Sequence, residues 1–304
     1  MHRLVILWLV SLFWTGSALA EKDEYLKLAR QGWNYELRTT MVGRDLSIPV
    51  HINGRDLSGS SICLVGDRPH PASLEVIDAF RALLAHSFGK PVPMRYAGLD
   101  ARSCGSGRTV VLRLYSGFPP NKALSIDLHW MNDVHQLGLP MGRDFAASSP
   151  AMAQTFFGRR GLATHIMVKQ PANGRPDVIE TAFYKSILVE ELFQAFTFGM
   201  DIIQFDRSAE FVSKLQEIPM NLTRMSWDSH AFMRALLGGN PGRLCAFDVF
   251  MLHAVAQAPV DQTIDDGFID YIDAQYERLL LQSDQTMNDP RFAPILDATC
   301  AHPI

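Results

Sequence analysis

Thr164-His165-Ile166-Met167-Val168-Lys169, the segment from Pro171 to Pro176, and the run from Asp177 to Phe198 decide the fold. The first six residues are a short apolar run that reads as a strand, and two prolines flanking a glycine end it. The last run reads as a long, largely buried helix. Val178, Ile179, Phe183, Ile187, Leu188, Leu192, Phe193, Phe196 and Phe198 cover most of its surface. Strand signals lie upstream of this point and helix signals downstream.

Upstream, Thr109 to Tyr115 is the clearest strand, β-branched and alternating near its end. Leu46 to Ile52, Ser61 to Val65 and Val92 to Tyr96 read as further strands. Glu24 to Gln31 and Leu124 to Gln136 read as helices. Another helix opens at Pro71 and Ser73, carries Leu74, Ile77, Phe80, Leu83 and Leu84 on one face, and stops at Gly89. Downstream, Asp228 to Leu237 and Cys245 to Ala256 are helical, the second apolar almost all round. Asp266 to Asp284 is amphipathic, with Phe268, Ile269, Ile272, Tyr276, Leu279 and Leu280 facing inward. These patterns predict an α+β fold: a mixed β-sheet with flanking helices over about 21–198, then a mainly helical half over about 199–304, in one compact domain.

Residues 1–20 read as a cleavable secretory signal. Arg3 supplies the charged leader, Leu4 to Trp14 the apolar core, and Ala18 and Ala20 the small residues before cleavage after Ala20. The core is shorter than the roughly 20 apolar residues a membrane-spanning helix needs, and no later stretch reaches that length. A periplasmic or secreted location is expected. The 28 Lys and Arg against 32 Asp and Glu leave a net charge of −4, which provides no basic footprint for nucleic acid. Cys63, Cys104, Cys245 and Cys300 all follow the leader, and none forms a Cys-x-x-Cys pair. An even count in an oxidising compartment predicts two disulfides. Sequence permits three pairings. Cys63–Cys104 and Cys245–Cys300 are expected, because each joins cysteines of one half.

Chemistry concentrates on the long helix, in Val189-Glu190-Glu191-Leu192-Phe193-Gln194-Ala195-Phe196. Glu190 and Gln194 are four apart and share a helical face, with Glu191 about 100° round. Two adjacent carboxylates in so apolar a helix must be solvated, paired or bound to a cation, because bare burial costs several kcal/mol each. From about Ser186 onward the chain resembles an exported proteobacterial family catalogued as domain of unknown function 2927. The likeness rests on the Glu-Glu-Leu-x-Gln-Ala core, on Ser213-Lys214-Leu215-Gln216-Glu217 and on Phe247 to Ala256. The family has no activity to carry over.

The same core has the layout of the metzincin zinc-protease helix, His-Glu-x-x-His-x-x-Gly-x-x-His. Glu190 stands in the place of the first His, Glu191 in that of the general-base Glu, and Gln194 in that of the second His. Thr197 takes the place of the Gly and Met200 that of the third His. Only Glu191 is an identity. Carboxylate, amide and thioether replace three imidazoles, so a zinc hydrolase is not expected. One reading is a metzincin-like frame kept for non-catalytic binding or scaffolding of a protein or envelope component, with no cofactor. A second is a metal-dependent, peptidase-like hydrolase. In it Glu190, Gln194 and Asp201 hold a divalent cation such as calcium or magnesium, and Glu191 is the catalytic base. A third is a structural helix whose glutamates cap or pair with basic residues.

Other candidates are weaker. His129 and Asp133, with Asp127 and His135 nearby, could form a metal or acid–base cluster, but read rather as surface polar positions and cross-turn pairs on a helix. Phe156 to Gly161, containing Arg159 and Arg160, reads either as a binding loop over the long helix, whose arginines could neutralise the acidic pair, or as a turn whose phenylalanines fill the core. Cys104-Gly105-Ser106-Gly107-Arg108 precedes a strand rather than a helix, the wrong order for a phosphate loop.

Overall fold

The computed structural model describes residues 21–34, 54–172, 174–261 and 263–300. The leader, cleavage after Ala20 and the strand expected over Leu46 to Ile52 lie outside the described residues. Helix α1 covers 21–33, and the short α2 covers Gly54–Leu57. Then come β1 (Ser61–Gly66), α3 (Pro71–Phe88), β2 (Met94–Gly98), β3 (Thr109–Tyr115), α4 (Asn121–His135), β4 (Ala151–Gly158), β5 (Gly161–Lys169) and α5 (Val178–Thr197). Two-residue strands β6 (Ile202–Ile203) and β7 (Gln216–Glu217) precede helices α6 (His230–Leu237), α7 (Ala246–Gln257) and α8 (Asp266–Met287).

The fold is α+β. Five strands form a mixed sheet in the order β2-β1-β3-β5-β4. The first four in that order run parallel, and β4 lies antiparallel to β5 at the edge. Side chains alternate between faces, as the strand repeat of two requires. Leu64, Leu112 and Ile166 join the larger core, which draws on α1, α3, α5, α7 and α8. Cys63, Val111 and Met167 join the smaller core beneath α4. The larger core runs through both halves of the chain. Cys63–Cys104 ties β1 to the 3₁₀ turn Ala101–Cys104, and Cys245–Cys300 ties the start of α7 to the C-terminal segment. Among the described residues, no helix is long and apolar enough to cross a membrane.

Strand β4 escaped sequence reading. Of the two readings of Phe156 to Gly161, the turn holds and the loop does not: β4 and β5 form a hairpin closed by Arg159 and Arg160 alone, with Phe156 and Phe157 packed against the two cores. Two-residue hairpins favour Asn-Gly or Gly-containing turns, so an Arg-Arg turn carries no sequence signal. Gly158 is required by contact rather than by backbone angle, because a Cβ there would stand 2.1 Å from the His135 carbonyl oxygen.

Helix α5 carries its own start and stop. Asp177 accepts from the Glu180 N–H at 2.9 Å, and Glu180 accepts from the Asp177 N–H at 2.9 Å, a reciprocal capping box. At the other end Phe198 takes a left-handed backbone (φ 59°), and its N–H donates to the Gln194 carbonyl at 2.8 Å.

Candidate functional site

The chain reverses after α5. Thr197 donates its hydroxyl to the Phe193 carbonyl at 2.7 Å, and the Trp33 indole N–H donates to the Thr197 carbonyl at 2.9 Å. Gly199 passes so close to buried neighbours that a Cβ would stand 2.6 Å from both Leu215 Cδ1 and Trp33 Cζ2. The reversal brings Asp201 back to α5, where Gln194 Nε2 donates to Asp201 Oδ1. Strand β6 then pairs in parallel with β7, Ile203 opposite Glu217. One oxygen from each of Glu190, Asp201 and Glu217 therefore falls within 4.8 Å of the other two. Glu190 is buried, Glu217 half-buried and Asp201 exposed, so the cluster is closed toward the helix and open at Asp201.

A buried lysine answers Glu190. Lys214 Nζ donates to Glu190 Oε2 at 2.6 Å and to Ser186 Oγ at 3.2 Å. Asn240 Nδ2 donates to the same Oε2 at 2.8 Å, while Asn240 Oδ1 is buried without a partner. The lysine is placed from below by Asp248 of α7. That carboxylate accepts from the Ser213 hydroxyl at 2.5 Å, from the Lys214 N–H at 2.7 Å and from the Cys245 N–H at 2.7 Å. Burial lifts the Asp248 carboxyl to about 6 despite these donors.

Glu190, Glu191, Asp201 and Glu217 thus crowd around one ammonium. Burial, then the charges of Glu190 and Asp201, raises Glu217 to about 8. Asp201 reaches solvent along one edge, yet the protein around it and the Glu190 charge lift it to about 6. Glu191 goes well above the usual carboxylate range through burial and the same two neighbours. Lys214 and the Ala153 backbone N–H oppose that rise.

The ladder register defines the edge of the sheet. In an antiparallel ladder, backbone groups alternate between facing the partner strand and facing away. Pro150 accepts from the Lys169 N–H at 2.8 Å and so faces β5, and Ala151, Ala153, Thr155 and Phe157, out of step with it, face away. A cleft of about 740 Å³ runs along this edge. Its floor is Met152 to Phe157, one wall is Gln194 with Phe198 to Asp201, and the other is the segment after α4, including Phe145. That second wall is pinned to α4 by Phe145 N–H to Ser125 Oγ at 2.8 Å and Ala147 N–H to Asn121 Oδ1 at 2.9 Å.

The structure brings Glu190, Gln194 and Asp201 to one place, with Glu191 beside them on the side of β4. Met200, in the third-ligand place of the zinc motif, is 42% exposed at the cleft, and Thr197 is buried in helix-end hydrogen bonds. Sequence reading missed Glu217 and Asn240, which arrive from distant segments. It also offered Arg159 and Arg160 as the neutralising cations, whereas Lys214 fills that part. The arginines sit in the hairpin turn, their N–H groups bonded to the Gln136 and His135 carbonyls at 3.3 and 3.0 Å.

The surface reading of the α4 polar residues holds for Asp133, which is exposed, and needs correction for Asp127 and His135. Asp127 is fully buried, gripped by Arg113 through Nε at 2.6 Å and Nη2 at 2.8 Å. His165 Nε2 lies 3.0 Å from the same carboxylate. These ties hold Asp127 below its ordinary value against the opposing effect of burial. His135 is buried too, and His129 packs against Phe145.

No family model matches the chain, and neither curated proteins nor solved structures give a match.

Proposed function

We propose that this chain is an exported, non-catalytic binding protein on a metzincin-like frame, and that it takes an extended segment of a protein partner along the edge of β4. The observation that carries this reading is the cleft. An edge strand with outward backbone groups forms its floor, and Phe145, Phe156, Phe157 and Phe198 give it aromatic sides. Exposed sheet edges bind extended peptides through main-chain hydrogen bonds, with side pockets supplying selectivity.

Two further features support binding over hydrolysis. Glu190, in the place of the first zinc ligand, accepts through Oε2 from the Lys214 ammonium and the Asn240 amide, a setting unlike that of a zinc-bound imidazole. Glu191, in the general-base place, is buried, with little of it open to a substrate. The two disulfides are consistent with the extracytoplasmic setting the proposal assumes. A second reading, a hydrolase with Glu191 as base, draws on one observation: Glu191 Oε2 is buried with no hydrogen-bond partner.

The test is selection of peptides from a random display library on the folded protein, followed by affinity measurement with Thr155→Pro. Proline at an outward edge position leaves the sheet intact but blocks an added strand. Peptides that bind the wild type at least tenfold more tightly than the variant, and emerge uncleaved, support the proposal. Equal affinity for both proteins rejects the edge mode, and cleavage lost in Glu191→Gln turns the reading to the hydrolase.

A further inference from the structure

We infer that Glu190, Asp201 and Glu217 form a binding site for a hard divalent cation of calcium size, with the Asn240 amide oxygen beside it. The inference does not depend on the peptide reading. It starts from the composition of the cluster, which is rich in oxygens and poor in donors. Four carboxylates, Glu190, Glu191, Asp201 and Glu217, meet one ammonium, Lys214, and two amide N–H groups, from Gln194 and Asn240.

The donors are also unevenly spent. Lys214 and Asn240 both fall on Glu190 Oε2, and neither reaches Oε1. Two buried acceptors around the cluster have no partner. One is Oδ1 of Asn240, a residue 2% exposed whose amide is held against Glu190. The orientation of that amide is set by chemistry, since its NH₂ must face the carboxylate. The other is Oε2 of Glu191. An unpartnered buried acceptor is destabilising, and a cation that takes such oxygens as ligands removes that cost.

Ligand chemistry selects the ion. The three carboxylate oxygens lie within 4.8 Å of one another, close enough to share one cation. Calcium takes six to eight oxygens at about 2.3–2.6 Å in a flexible geometry, which suits carboxylates delivered by a helix, a turn and a strand. Magnesium, at about 2.0–2.1 Å, insists on a regular octahedron and gives up its own water reluctantly. A neutral or anionic oxygen cage also fits calcium better than zinc, which favours imidazole and thiolate. The open side at Asp201 gives an ion access from the cleft, and there its remaining positions can be filled by water.

The site differs from the set read in sequence. Gln194 is replaced as a ligand by Glu217, and Gln194 instead orients Asp201 through its N–H. Strand β7 is what delivers Glu217, paired with the residues just past Asp201.

The experiment is calorimetric titration of chelator-treated protein with calcium chloride at pH 7.5, with no peptide present, paired with thermal melts in 10 mM calcium, magnesium or neither. The expected result is saturable one-to-one calcium binding in the range of about 0.1–1 mM typical of extracellular sites. Melting should rise in calcium and not in magnesium. Glu217→Gln, and Asp201→Asn should the first variant fail to fold, should lose the binding heat while keeping the wild-type circular dichroism spectrum. No saturable heat and no melting shift for the wild type overturns the site. Undiminished binding by both folded variants overturns the ligand set, and magnesium binding as tight as calcium overturns the size assignment.

Discussion

Lys214 Nζ lies 2.6 Å from Glu190 Oε2, with the lysine side chain 0% and the glutamate side chain 9% exposed. Removing one member of a buried pair leaves the other charge stranded, at a cost of about 3–5 kcal/mol. Lys214→Met should therefore lower unfolding free energy by that order in urea titration. The double variant Lys214→Met/Glu190→Leu should recover most of the loss, because neither charge is then left alone. A double variant as unstable as the single one would show that the pair is not the cause.

Asp127 makes a parallel case on the other face of the sheet. It accepts two bonds from Arg113, one from the Ala101 N–H at 2.9 Å, and lies against His165. Asp127→Asn keeps the shape but strips the guanidinium of its anion. A loss of about 3–5 kcal/mol is expected, with Arg113→Met/Asp127→Leu milder than either single change. The measurement is the shift in urea midpoint at constant slope.

His253 sets an acid limit. Burial, helped by the charges of His86 and Arg278, holds its imidazole down at about 4. In the unfolded chain it takes a proton near 6.5, so unfolding takes up a proton between pH 6.5 and 4. The His253 contribution to stability should be full above 6.5 and fall by up to about 1.4 kcal/mol per pH unit as pH drops through that window. His253→Gln should flatten this limb of a melting-temperature profile. A limb of unchanged slope in the variant assigns the titration elsewhere.

Gly158 admits no side chain, since its Cβ position is 2.1 Å from one backbone oxygen and 2.9 Å from the adjoining carbonyl carbon of His135. Backbone yields less readily than a side-chain tip. Gly158→Ala should cost about 1–3 kcal/mol and loosen the β4–β5 hairpin, seen as faster amide exchange in β4. Exchange at the wild-type rate would contradict the clash.

Reduction should destabilise both halves. Cys63–Cys104 bridges a separation of 41 residues and Cys245–Cys300 one of 55. Loops of that size are worth roughly 3–4 kcal/mol each in the chain-entropy picture. Each double Cys→Ala variant should melt below the oxidised wild type, and reductant should add nothing further in a chain lacking all four cysteines.

Much of the architecture was legible locally. β3 announces itself through Thr109 to Tyr115, α3 through its apolar face, and α8 through Phe268, Ile269, Ile272, Tyr276 and Leu279, all buried as expected. Leu74, assigned to the α3 core face, is instead 38% exposed, because the buried stripe runs through Ser73, Val76 and Ile77 and Leu74 lies about 100° round from Ser73. The pattern of Glu190, Glu191 and Gln194 was visible because a helix repeat is a local geometry. β4 was not, because its turn lacks a signal residue and its side chains are shared between two half-covered faces.

Sequence by itself determined the longer helices and the parallel strands, where α5 begins, and that two acids and an amide share its last turns. Those follow from repeats of two and 3.6 residues and from capping chemistry, which act within a few positions. Only the tertiary structure decided what meets those acids. Lys214, Glu217 and Asn240 lie 24 to 50 residues beyond Glu190, and they reach it through the reversal at Gly199, the β6–β7 pair and the grip of Asp248 on Lys214. No local pattern encodes such meetings, because they arise when separately formed elements bury their apolar faces against one another.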